Sequence, residues 1–81
     1  MDIIEAIAKR DVQALSDALE HSDNIRVIVA DIASGIRAYG ADGIMLDAIE
    51  QIINKSIDDC FEYVCMMQLI RYANEIHQLN H

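Results

Sequence analysis

Eighty-one residues suffice for one small domain and no more. Fourteen Asp and Glu against six Lys and Arg leave a formal charge of −8, and the six bases are dispersed, so direct nucleic-acid binding is not expected. No apolar run approaches the roughly 20 residues of a membrane span, and the acidic start (Asp2, Glu5) lacks the basic region of a secretory signal, so a cytoplasmic protein is expected.

Proline is absent, and isoleucines recur at spacings of three and four rather than two. The pattern predicts an all-α single domain over residues 1–81, a small bundle of four to five helices. The first helix is expected over 2–9, with Asp2 as cap, Glu5 reaching back in a capping box, and Ile3, Ile4 and Ile7 inward. Asp11 is placed to cap a second helix over 11–20, with Val12, Leu15 and Leu19 on one stripe. The stretch AIAKRDVQALSDALE resembles half an ankyrin repeat in rhythm. Arg10 stands where that repeat has glycine, no TPLH-like turn precedes it and no 33-residue period follows, so the likeness implies no function.

His21 to Asn24 form a polar break. A third helix over 25–39 keeps Ile25, Ile28, Val29, Ile32, Ile36 and Tyr39 on one face. Ala30, Ala33, Ser34 and Gly35 form a small-residue flank open to close approach by another helix. Gly40 is placed to close this helix in a left-handed conformation, and Asp42 to cap the next. That fourth helix is expected over 43–57, with Met45, Ile49, Ile52, Ile53 and Ser56 inward. Ser56-Ile57-Asp58-Asp59 reads as a new N-terminus with Ser56 as cap, giving a last helix over 59–79. The alternative is one unbroken helix from 43 to 79, which would need a second chain to cover it.

The last helix is unusual in having two apolar faces. Phe61, Cys65, Leu69, Tyr72, Ile76 and Leu79 share one, and Tyr63, Met66, Met67 and Ile70 share the other. A surface helix needs one such stripe, so this helix is expected either to be central in the bundle or to lie at a dimer interface. The methionine face, bracketed by Asp59 at one end and by Asn74 and His77 at the other, is expected to be the protein-binding surface.

Enzymatic chemistry finds no support. Cys60 and Cys65 point about 140° apart on a helix, which disfavours an intrachain disulfide and suits two buried, reduced thiols. Neither lies in the kind of turn that presents a nucleophile. His77 and His81, at i and i+4, are a two-ligand metal patch at most. The Asp-Ser-Leu attachment site of an acyl carrier is missing, as are phosphate-cradling glycine patterns. No cofactor is expected. The reading is a small acidic non-enzymatic regulator, inhibitor or chaperone-like adaptor of bacterial or phage type. Its expected partners are a second copy of itself, an unidentified protein, or both. Two other readings stand beside it. One is an acidic decoy for a nucleic-acid-binding site, using Asp11, Asp17, Glu20, Asp23, Asp47 and Glu50. The other is a metal- or ligand-binding bundle using His77 and His81.

Overall fold

Five helices make up 82% of the residues 2–80 that the computed structural model describes, with no strand among them. They are α1 (Ile3–Ala8), α2 (Val12–Glu20), α3 (Ile25–Tyr39), α4 (Gly43–Ser56) and α5 (Cys60–Asn80). Short acidic or amide side chains start most of them, because the first backbone N–H groups of a helix have no partner within it. Asp11 Oδ1 accepts from the Ala14 N–H at 3.0 Å, Asn24 Oδ1 from Arg26 at 3.1 Å, and Asp42 Oδ1 from Met45 at 2.9 Å.

Two of the caps depart from the sequence reading. Asp2 occupies the N-cap position of α1 without a side-chain bond. Glu5 does not reach back to it, but pairs forward with Lys9 at 2.9 Å. Further on, α4 and α5 are separate helices, as the break expected at 56–59 requires, and the unbroken alternative is not adopted. Ile57 turns to extended backbone (φ −124°, ψ 120°), which seats its side chain in the core and ends α4. Asp59, rather than Ser56, then caps α5, accepting from Phe61 N–H at 2.9 Å. Ser56 is exposed.

The principal helix contacts run α1–α3–α5–α4–α2 and back to α1, so the helices close a ring around one core. Ile7, Leu15, Leu19, Ile32, Ile36, Met45, Ile49, Ile53 and Ile70 meet there, fully buried. Burying each such side chain is worth about 1.5–3 kcal/mol relative to leaving it in water. Among the described residues no charged or polar side chain is buried, so the interior is purely apolar. Of the small-residue flank of α3, Gly35 receives α1 and Ala33 is buried, while Ala30 and Ser34 are exposed. A Cβ at Gly35 would lie 2.8 Å from Ile7 Cδ1 and 3.6 Å from the Ile4 Cα.

Arg10 ties the first turn to the third helix. It adopts the left-handed conformation (φ 59°) that glycine accepts most easily. Its guanidinium donates to the Tyr39 carbonyl at 2.8 Å and to the Gly40 carbonyl, both at the C-terminus of α3. A fixed cation there complements the negative end of the helix dipole. Arg10 therefore clamps the α1–α2 turn onto the α3–α4 turn.

Candidate functional site

At about 100° per residue, the two faces of α5 point in nearly opposite directions. The bundle takes the methionine face inward. Met66, Met67, Ile70 and Ala73 are buried, and Tyr63 is half-buried against the same core. This corrects the assignment of Tyr63, Met66, Met67 and Ile70 as an outward binding surface. The physical reason lies in the polar groups among and beyond them. Tyr63 Oη donates to Glu50 Oε1 on α4 at 2.7 Å. Asn74 Oδ1 accepts from the Ala41 N–H at 3.0 Å, and His77 Nδ1 donates to the Arg37 carbonyl at 3.1 Å. Asn74 and His77, expected to delimit an exposed patch, are with Tyr63 the tethers that fasten that face to α3, α4 and the turn between them.

Glu50 organises the α4–α5 seam. Besides the Tyr63 hydroxyl, its other carboxylate oxygen accepts from Arg71 at 3.1 Å. The hydrogen bond to Glu50, with burial and the carboxylate's charge assisting, raises the Tyr63 phenol above its ordinary value of 10.0. A raised folded-state pKa means stability present below the unfolded value and lost as pH climbs through the folded one. Ultraviolet difference titration should show one of the tyrosines ionising late, and Glu50→Ala should move that tyrosine back toward the ordinary range. A tyrosine that ionises just as late in Glu50→Ala would exclude the carboxylate as the main cause.

The other face of α5 is left open. Phe61 is 78% exposed, Tyr72 60%, Leu69 43% and Leu79 86%, with Cys65 exposed among them and Ile76 half-buried. Their headings fall within an arc of about 80°, and at 1.5 Å per residue the stripe extends about 27 Å along the helix. The thiol of Cys65 follows the face to which it belongs, while Cys60, outside that arc, is the first residue of α5. Both are exposed, not buried as the sequence suggested.

Beside the stripe, α3 runs in the same direction as α5, with Arg26 level with Glu62 and Arg37 level with His77. The two helices leave a shallow groove of about 510 Å³ at their N-terminal halves. Val29 and Met66 form its base, Phe61, Cys65 and Leu69 its α5 wall, and the Arg26–Glu62 ion pair, at 2.6 Å, one margin. That pair is solvent-exposed and screened by water, so it marks a polar rim rather than a structural lock. The arrangement is an apolar strip with a charged border, the usual anatomy of a protein interface.

The remaining candidate chemistry does not assemble around this face. His21 Nδ1 donates to the Asp17 carbonyl at 2.7 Å, so both described histidine rings bond to backbone. No group of three or more His, Cys, Asp or Glu that could hold a metal ion occurs among the described residues. Of the proposed His77–His81 pair, His81 lies outside the described residues. The carboxylates named for a decoy are partly committed inside the fold: Asp11 caps α2, Asp17 accepts from Gln13, and Glu50 holds α5. No described helix is long and apolar enough to cross a membrane. Comparison with family models, curated proteins and solved structures finds no match to this chain.

Proposed function

We propose that this chain is a non-enzymatic protein-binding module, a small regulator, inhibitor or adaptor, whose working surface is the outward face of α5. One observation carries the reading. Phe61, Leu69, Tyr72 and Leu79 stand in solvent in one row, on a helix whose opposite face already supplies the core. Apolar residues scattered singly over a surface need no explanation, but a contiguous strip along a whole helix marks an interaction site. Tyrosine and phenylalanine are also the side chains that supply most contact energy per residue at interfaces. A helix surface of this shape suits another helix laid along it, by the same ridge-and-groove packing that builds the bundle.

The test is the size of the protein purified intact from cells that express it, measured by native mass spectrometry. Wild type is expected to carry a bound polypeptide, whether a copy of itself or another protein. The double variant Leu69→Glu/Tyr72→Glu, altered only at exposed positions, should retain its helical circular dichroism and run at its bare 9.1 kDa. Apolar docking should also change little between low and high salt, whereas a decoy made of carboxylates would release its partner steeply. A wild type that runs bare, or a double variant that retains its partner, overturns the assignment of this face.

A further inference from the structure

Resting on that reading, we infer that the occupant of the α5 face is a second copy of this chain, docked antiparallel about a two-fold axis near residues 70 and 71. The stripe is close to self-complementary. Its members, Phe61, Cys65, Leu69, Tyr72, Ile76 and Leu79, are spaced so that reversing the helix maps the row onto itself almost without shift. Leu69 of one copy then faces Tyr72 of the other, Cys65 faces Ile76, and Phe61 faces Leu79. Each large ring meets an aliphatic or small side chain instead of its own twin, which lets the two rows interdigitate. An isologous interface requires this property, that a patch be its own complement.

Area and charge point the same way. Taking about 200 Å² for a whole large side chain, the exposed fractions of Phe61, Leu69, Tyr72 and Leu79, together with Cys65, offer roughly 600 Å² per copy. Two such faces reach about 1,200 Å², the lower end of specific protein interfaces. The N-terminal end of α5 is acidic: Asp58, Asp59 and Glu62 lie beside Asp23. A parallel pair would bring two of these clusters to one level in a chain that already carries −8. The antiparallel pair separates them by roughly the 27 Å of the stripe, several times the Debye length of about 8 Å at physiological salt. It also sets each cluster opposite the other copy's Arg37. That residue lies three turns on from Arg26 along α3, is exposed, and is level with the C-terminal half of α5.

Thiol cross-linking reads the orientation directly. In the antiparallel register the two Cys65 residues lie about 16 Å apart along the axis, beyond the roughly 7 Å that a disulfide spans. A parallel pair would bring them face to face. Two chains are needed: Cys60→Ser, which retains Cys65, and Cys60→Ser/Cys65→Ser/Ile76→Cys. Mild oxidation of each alone should give monomer on a non-reducing gel, and oxidation of the mixture should give a dimer joined from residue 65 to residue 76. Sedimentation of reduced wild type should show a mass that doubles with concentration, and Leu69→Glu should remain at 9.1 kDa throughout. A Cys65–Cys65 dimer from the first chain alone overturns the antiparallel pairing. A wild type that remains monomeric at every concentration overturns self-pairing altogether. If the same Leu69→Glu change strips an unlike protein from such a monomer, the binding reading of the face survives that failure.

Discussion

Gly40→Ala is expected to destabilise the fold by about 3 kcal/mol, although it adds a single methyl group. Two effects combine. Gly40 has φ 77° and ψ 172°, a region essentially closed to residues with a Cβ. The added carbon would also lie 2.6 Å from His77 Cδ2 and 2.8 Å from Nε2, and that ring is pinned by its bond to the Arg37 carbonyl. For a chain of this size the loss corresponds to a fall in Tm on the order of 15 °C. The two effects separate in a double-variant cycle. Gly40→Ala in a His77→Ala background should recover the steric part, about 1 kcal/mol, and leave the backbone part untouched. Thermal melts of the four proteins give the answer directly. Equal melting temperatures for Gly40→Ala and wild type would mean that the α3–α4 turn has another geometry.

That turn also shows what is legible in a sequence and what is not. Gly40 and Asp42 could be assigned in advance, because helix ends are local. A left-handed residue must follow the last turn and a short acceptor must precede the next helix. The same holds for Asp11. Arg10 is different. Its side chain reaches carbonyls at 39 and 40, some thirty positions away, and no local pattern encodes that meeting. The capping box at Asp2 failed for a related reason: Glu5 had Lys9 within reach on the same face, and the charged pair formed instead. The two-faced helix α5 marks the limit most clearly. Periodicity identifies both of its apolar rows but contains nothing that ranks them, since each is regular and each ends in polar residues. The ranking comes from partners distant in sequence: Glu50 for Tyr63, the Ala41 amide for Asn74 and the Arg37 carbonyl for His77. Once that choice is reversed, the exposure of Cys65 follows from geometry alone, whereas Cys60 is exposed at the first position of α5.

Two glutamates placed two residues apart on α5 should behave as opposites. Met67 is 5% exposed and faces the core, and Arg71, the cation beside it, is already paired with Glu50, so Met67→Glu costs about 4 kcal/mol when ionised. At neutral pH that is most of the stability of a domain this small, and circular dichroism should show a largely unfolded chain. The buried acid would have a raised folded-state pKa, so its penalty applies above the unfolded value near 4.3 and fades as pH falls and the group is protonated. Partial refolding on mild acidification is therefore the signature of a buried glutamate rather than of lost packing alone, and Met67→Leu, which conserves volume, should remain folded at every pH. Leu69 is 43% exposed and turned the other way. Leu69→Glu should melt within about 0.5 kcal/mol of the isolated wild-type subunit, yet it removes the centre of the apolar row. Its effect appears in concentration. Wild-type Tm should climb with protein concentration because association stabilises the folded state by mass action, and the Leu69→Glu melt should not move. If Met67→Glu were tolerated and Leu69→Glu unfolded the chain, α5 would have to be rotated by half a turn. The methionine row would then become the docking surface, and the aromatic row would supply the core.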